Sequence, residues 1–126
     1  MKIKSFSKIN LSLRVLNKLK NGMHNIETNS TLVNLSDEIN IKRNKKNIVT
    51  FSGKFKNQVN KKKNTVKDTL LLLEKNNITK NFYKIRVKKN IPVYAGLGGG
   101  TSNSFSIASH FMNNKFREKI IRIFEQ

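Results

Sequence analysis

The chain has 126 residues and no cysteine, so one modest domain fits its length, and disulfide frameworks and thiolate metal sites are excluded. A hydrophobic share of 37% predicts a packed core rather than wholesale disorder. Two histidines are too few for a typical zinc site, and we expect no protein metal centre. The sequence has neither a membrane-length apolar run nor an apolar leader, so we expect a cytoplasmic protein without a membrane partner.

The formal net charge of +19 comes mainly from lysine, which outnumbers arginine 21 to 5. Base-reading proteins rely on arginine, and single-strand binders interleave aromatic residues with their charges. The basic runs at residues 42–46 and 61–63 have no aromatic neighbours. We therefore interpret the excess as largely compositional, with a general attraction for phosphorylated small molecules, and nucleic acid is not the expected partner.

Residues 1–19 alternate in polarity, which predicts a strand with one apolar and one polar face. The expected apolar face consists of Ile9, Leu11, Leu13 and Val15. Lys8 and Asn10 lie two residues apart, so they stand side by side on the polar face.

Asn21-Gly22 is a strong turn signal, and a hairpin is predicted to close there. Residues 29–43 indicate a strand, a turn at Ser36-Asp37 and a second strand, with Asp37 serving the turn. Residues 44–63 are polar and predict a surface hairpin around one short strand, Ile48–Phe51.

Residues 65–76 predict a helix that Asn64 or Thr65 caps. Its expected buried face consists of Val66, Thr69, Leu70 and Leu73. A strand is predicted at Phe82–Lys88, and a helix with Phe105, Ala108, Phe111 and Met112 on one face is predicted after residue 104. Residues 116–126 indicate a last amphipathic helix.

Four of the six glycines, Gly96, Gly98, Gly99 and Gly100, lie between that strand and that helix. Glycine lets backbone approach a ligand closely, and a helix start offers unpaired N–H groups, so this order of elements suits a phosphate. Hydroxyls follow directly at Thr101, Ser102 and Ser104. The spacing fits neither a Walker loop nor a dinucleotide loop. A flexible turn without a ligand stays open at this point.

Residues 92–103, Pro-x-x-x-Gly-Leu-Gly-Gly-Gly-Thr-Ser-Asn, resemble the phosphate loop of the GHMP small-molecule kinases. Two further stretches, Ser7-Lys8-Ile9-Asn10-Leu11 and residues 21–28 around Gly22-x-His24, resemble the branch of that family that acts on a nucleotide-diphosphate sugar alcohol of non-mevalonate isoprenoid synthesis. Met23 and Tyr94 depart from the pattern, since the family has tyrosine and a small residue there.

The resemblance implies an α+β fold, the GHMP-kinase N-terminal domain (ribosomal protein S5 domain 2-like) in truncated form. Residues 1–126 would be a partial ATP-binding domain without the C-terminal domain. ATP and Mg²⁺ are the implied cofactors. The residues implied to bind ATP are Pro92, Ala95, Gly96, Leu97, Gly98, Gly99, Gly100, Thr101 and Ser102, together with Asn64 and Lys89. Lys8 would be catalytic, and Asn10 and His24 would bind the substrate.

The implied activity is ATP-dependent phosphorylation of a hydroxyl group. The family's proton-accepting carboxylate lies beyond the matched residues, so we expect this chain alone to be inactive. A homodimer is kept open as a partner. One alternative is a basic module that binds RNA or phosphate without catalysis, and another is a non-functional remnant or a sequencing truncation.

Overall fold

A computed structural model describes residues 1–112 of the chain; the helix predicted at residues 116–126, with Glu118 and Glu125, lies outside the described residues. In chain order the elements are β1 (Lys2–Lys18), β2 (His24–Asn44), β3 (Ile48–Ser52), α1 (Thr65–Lys75), β4 (Phe82–Lys88) and α2 (Gly99–Phe111). A single 3-10 turn at Lys56–Gln58 lies between β3 and α1.

The strands form one mixed sheet in the order β1-β2-β4-β3. β2 pairs antiparallel with both β1 and β4, whereas β3 pairs parallel with β4. A parallel pair needs a crossover connection, and α1 supplies it. The α+β prediction is confirmed. The expected hairpin around Ile48–Phe51 is wrong, because this strand lies at the sheet edge beside β4 rather than against β2.

Both helices pack on one face of the sheet. The sheet contributes Ile39 and Ile41 from β2 and Ile85 and Val87 from β4, all at most 5% exposed. The helices contribute Val66, Leu70, Leu73 and Ile107. The predicted buried face of α1 is confirmed, since the structure buries Val66, Thr69, Leu70 and Leu73.

The predicted apolar face of α2 is confirmed at Ala108, which is buried, and at Phe111 and Met112, which pack against the core, but not at Phe105. The structure buries Gly99, Asn103, Ser104, Ile107 and Ala108, whereas Phe105 is 52% exposed. Two hydrogen bonds hold α2 in this orientation about its own axis. Ser102 Oγ donates to the Phe6 carbonyl oxygen at 2.6 Å, and Asn103 Nδ2 donates to Asp37 Oδ2 at 2.9 Å. Polar anchors, which the apolar pattern does not show, therefore set the face.

The β1–β2 hairpin has two unlike halves. Its base, residues 2–9 and 33–44, lies over the helices, whereas every residue from Asn10 to Leu32 is exposed. Leu11 and Leu13, which were expected on the apolar face of the first strand, are 69% and 52% exposed. The turn expected at Ser36-Asp37 is also wrong, because β2 runs through it without a break.

Candidate functional site

The glycine loop leads from the end of β4 into the first turn of α2. Gly98 is the N-cap residue of α2 and has φ +66°, a left-handed conformation that favours glycine. The N–H groups of Gly99, Gly100 and Thr101 have no acceptor within the helix, because helical N–H groups bond four residues back. The Ser102 N–H makes the first such bond, 2.8 Å to the Gly98 carbonyl oxygen. The loop thus presents free donors at the positive end of a helix dipole.

A cavity of about 540 Å³ adjoins this loop. Its walls are the loop itself, the start of α1 and the end of β3. Apolar side chains form one part of it: Phe51, Val59, Val66, Val93 and Leu97. The backbone of Gly98–Gly100 forms another part. A cavity of this kind accommodates a ligand with an apolar ring and an anionic tail.

Lys8 lies beside the loop although about 90 residues separate them in the sequence. Its N–H donates to the Leu97 carbonyl oxygen at 2.9 Å, and a Cβ on Gly98 would stand 3.9 Å from Lys8 Cβ. The β1–β2 register shifts between Phe6 and Ser7, one residue before Lys8. Because β1 is an edge strand of the sheet, alternate N–H groups point away from β2, and the N–H of Lys8 is thus available to the loop.

Asp37 joins β2 to the loop and to α2. Its side chain is fully buried, and Oδ1 accepts from the N–H groups of Asn90 at 2.7 Å and Ile91 at 2.9 Å. Oδ2 accepts from Asn103 Nδ2 and pairs with the Lys89 ammonium. A buried carboxylate needs such partners because an unpaired one is costly. The carboxylate therefore fixes the chain entering the loop and the helix leaving it.

Lys89 lies beneath the loop rather than in solvent. The residue is 3% exposed, and a Cβ on Gly99 would stand 3.4 Å from its Nζ. The same Cβ would meet Ile91 Cγ2 at 3.0 Å, so only glycine fits at position 99 without a shift. Lys89 lines the cavity while its charge is paired with Asp37.

The hydroxyl groups next to the glycines are largely engaged within the protein. Ser102 Oγ donates to Phe6 and accepts from Ser5 Oγ at 3.0 Å. Ser104 Oγ donates to the Gly100 carbonyl oxygen at 3.1 Å. Thr101 is exposed and lines the cavity. Of these hydroxyls, only that of Thr101 is well placed for a ligand.

Asn64 and Thr65 were the two predicted caps of α1, and the structure has Asn64 as the N-cap. Its Oδ1 accepts from the Lys67 N–H and its Nδ2 donates to the Asn60 carbonyl oxygen, both at 3.1 Å. The amide is therefore occupied at both ends, although the residue lines the cavity. Pro92 and Ala95 also line it, as does each loop residue predicted to bind ATP except Ser102.

The two predicted substrate residues lie on the exposed half of the hairpin. Asn10 follows Lys8 closely and accepts a long hydrogen bond, 3.4 Å, from Thr28 Oγ1. His24 pairs with Lys18 near the hairpin turn, ten residues along β1 from Lys8. A straight strand of that length spans on the order of 30 Å. The structure brings Lys8 to the loop and leaves His24 at the far end.

No three acidic, histidine or cysteine side chains within residues 1–112 cluster as a metal site. Asp68 is the carboxylate that lines the cavity. Among the described helices, none is long and apolar enough to cross a membrane.

Asp37 and Asn103 are site residues that the sequence reasoning did not identify as such. An aspartate within an otherwise apolar alternation, Asp37-x-Ile39-x-Ile41, was the available signal, because that pattern places the carboxylate on the core face. Asn103 Oδ1, buried beside the cavity, has no partner in the described part of the chain.

The family model "GHMP kinases N terminal domain" matches residues 64–122. A 4-diphosphocytidyl-2-C-methyl-D-erythritol kinase of Pelagibacter ubique is 38% identical over 117 residues, covering 90% of this chain and 41% of that protein. Its namesake in Finegoldia magna is 41% identical, covering 82% of this chain and 37% of the relative. The namesake in Ureaplasma parvum is 39% identical, with coverages of 89% and 43%.

A crystal structure of 4-(cytidine 5'-diphospho)-2C-methyl-D-erythritol kinase superposes with a TM-score of 0.66 at 25% identity. The match covers 87% of this chain and 39% of that one. The chain therefore spans about two fifths of the length of the curated relatives it matches.

Proposed function

Because the chain belongs to the GHMP kinase family, we propose that it forms the nucleotide-binding part of a kinase that transfers a phosphoryl group from ATP to a hydroxyl of 4-diphosphocytidyl-2-C-methyl-D-erythritol. The relatives that carry this name cover most of the chain, and they support the substrate class. The domain assignment, residues 1–126 as the N-terminal part of a two-domain enzyme, is part of the same proposal.

The observation that carries the proposal is the place of Lys8 beside the free amides of the loop. Its backbone bonds to Leu97, two residues before the first helical residue, Gly99. A triphosphate held by the N–H groups of Gly99–Thr101 would present its terminal phosphoryl group near the Lys8 ammonium. Positioning and charge stabilisation are most of what phosphoryl transfer requires from a protein.

Mg²⁺ is proposed to arrive with the nucleotide. This ion keeps several waters and is commonly held by one or two carboxylates together with substrate phosphates, so it needs no dedicated cage. Asp68 and the Thr101 hydroxyl, both exposed and on the cavity wall, are the candidate protein ligands. When bound, the ion would neutralise charge on the transferring phosphoryl group.

The sugar-alcohol substrate is proposed to lie along the hairpin, with Asn10 near the reacting end and His24 near the cytosine. This arrangement requires a long ligand, because His24 is far from the loop. To test it, the diphosphocytidyl substrate is titrated against wild type and His24→Ala, with the neighbouring change Asn25→Ala as control. Weaker binding confined to His24→Ala is expected. Equal binding by all three proteins would remove His24 from the site.

We further propose that the 126-residue chain alone turns over poorly. General-base removal of the hydroxyl proton is worth about two to four orders of magnitude, and Asp37, whose carboxylate bonds to the chain entering the loop, is buried and fully hydrogen-bonded. Appreciable phosphorylation of the substrate by the purified chain would contradict this.

Nucleotide binding is tested by equilibrium dialysis of labelled ATP against wild type, Gly98→Val and Gly22→Val. Both glycines have positive φ, and an added Cβ would meet nothing within 4 Å at Gly22 and Lys8 Cβ at an ordinary 3.9 Å at Gly98, so both changes strain the backbone in a similar way. Only Gly98 lies at the loop. The expected result is a loss of affinity of about tenfold or more in Gly98→Val alone. An equal loss in both variants, or none, would refute the assignment.

A second candidate, an RNA- or phosphate-binding module, is favoured by the outer face of the sheet. Its cations lie on neighbouring strands in register: Lys2, Lys4, Lys42, Lys84, Arg86 and Lys88. A short labelled RNA titrated at low and moderate salt separates the two functions. Binding that collapses with salt and ignores Gly98→Val would favour the module.

A further inference from the structure

Tyr94 is a bulky residue in a backbone conformation that suits glycine. Its φ is +61°, and the other non-glycine residue with positive φ in the described chain is Asn77, a type that tolerates this conformation. Tyr94 is 94% exposed, so packing within the fold does not offset the strain. Strained, sparsely packed residues beside a cavity point to a role in binding.

Tyr94 lies in the sequence between an apolar lining residue and the glycines of the loop. Val93, just before it, belongs to the apolar part, and its N–H is fixed by Gln58 Oε1 at 2.9 Å. Gly96–Gly98, just after it, lead to the free amides of α2. Tyr94 itself lines the cavity. The ring therefore borders the cavity next to the glycine loop and is free to contact a ligand bound there.

We propose that Tyr94 is a base-contact residue, whose ring packs against the nucleobase of a ligand held by its phosphates at the glycine loop. The inference rests on the proposed function, because it assumes a nucleotide in this cavity. An aromatic ring offers a stacking face to any base, and base–aromatic stacking contributes appreciably to affinity. The exposed ring would thereby gain the contacts that the fold does not give it.

The test uses isothermal titration calorimetry of the full 126-residue chain with two probes, ATP and inorganic tripolyphosphate, each with Mg²⁺. Tripolyphosphate keeps the anionic tail and lacks the base. Tyr94→Ala removes the ring while keeping Cβ and the same backbone strain, and Tyr94→Phe keeps a ring. We expect Tyr94→Ala to weaken ATP about 5- to 100-fold and to leave tripolyphosphate unchanged. Tyr94→Phe should bind ATP as wild type does.

An NMR measurement can also distinguish a contact with the base from a contact with the phosphates. The chain has two tyrosines and no tryptophan, so Tyr83→Phe leaves Tyr94 as the sole tyrosine. Its ring proton resonances should move upfield when ATP is added and stay in place with tripolyphosphate. Thermal unfolding of Tyr94→Ala should match wild type because the ring is exposed.

Three results would overturn the proposal, and they are distinguishable. If both probes bind and Tyr94→Ala binds ATP as tightly as wild type, or more tightly, the base contact is wrong while the nucleotide site stands. If Tyr94→Ala weakens both probes equally, the ring acts on the loop and not on a base. If neither probe binds wild type, the proposed function fails together with this inference.

Discussion

The two halves of the β1–β2 hairpin are built from the same two strands but differ in what lies beneath them. At the base, Asp37 is fully buried and bonded to the loop and to α2, and Lys8 bonds to Leu97. Towards the tip, every residue from Asn10 to Leu32 is exposed, including several large apolar side chains. The predicted catalytic lysine belongs to the first half and the predicted substrate histidine to the second.

This difference separates two requirements of the proposed reaction. The phosphate loop and Lys8 are held by a frame that residues 1–112 build among themselves. Asn10 and His24 stand on a ribbon of two strands, which has little stability without a packed face. Under the proposed function, the described chain would therefore orient the phosphoryl donor more firmly than the acceptor.

The largest expected effect comes from breaking the frame at Asp37. Asp37→Ala leaves the Lys89 ammonium buried without its partner, and such losses cost about 3–5 kcal/mol. Urea unfolding followed by circular dichroism should show this shift in the free energy of unfolding. Leu13→Ala, on the exposed half, is the control and should change it by less than about 0.5 kcal/mol.

The double variant Asp37→Ala with Lys89→Met sharpens that result. It removes the unpaired charge, so part of the stability lost in Asp37→Ala should return. A double variant as unstable as the sum of both single changes would show that the hydrogen bonds to Asn90, Ile91 and Asn103 matter more than the ion pair.

Adjacent glycines of the loop give an intermediate effect. A Cβ at position 99 would lie 3.0 Å from Ile91 Cγ2, so Gly99→Ala should destabilise by about 1–3 kcal/mol. At position 100 the nearest atom, Thr65 Oγ1, would be at an ordinary 3.4 Å. Gly100→Ala should be neutral or stabilising, because alanine favours a helix by up to about 1 kcal/mol. Equal unfolding midpoints for the two variants would mean that the loop yields easily.

Local patterns predicted much of this fold, and long-range contacts account for what they missed. The α1 face and β4 followed from side-chain periodicity. The parallel pairing of β3 depends on where α1 returns the chain, and the rotation of α2 depends on Asn103 meeting Asp37, 66 residues away in sequence. A short strand such as β3 has no local sequence signal for its partner, and Ser36-Asp37 resembles a turn until the acceptor role of its carboxylate is known.

The part of the site that depends on backbone conformation, the glycine loop, was predictable from the sequence. Glycine content and order of elements located the loop, since positive φ and close approach are glycine properties. The local sequence pattern did not predict that Lys89 would be 3% exposed or that Ser102 would bond to β1, because both features depend on partners distant in sequence.

A small effect is expected at the tip. Leu13→Ser should leave the unfolding midpoint nearly unchanged, since Leu13 is 52% exposed, and it should raise solubility by reducing exposed apolar surface. Light scattering at increasing protein concentration measures the solubility. A clear loss of stability would show that the tip is covered in solution, and the contrast between the two halves would then be wrong.

The smallest effect is expected at Glu38, the sequence neighbour of Asp37 on the opposite face of β2. Lys88 Nζ lies 3.0 Å from Glu38 Oε1, and both side chains are about half exposed. The hydrogen bond from Lys88 lowers the pKa of Glu38 from its ordinary 4.5. A lowered pKa stabilises the fold above pH 4.5, and that contribution is lost as the pH falls through the lowered value. Because water screens this pair, Glu38→Gln should change unfolding little at pH 7 and not at all well below the lowered pKa. A loss at pH 7 comparable to that of Asp37→Ala would mean that burial, the property separating these two carboxylates, does not decide their contribution.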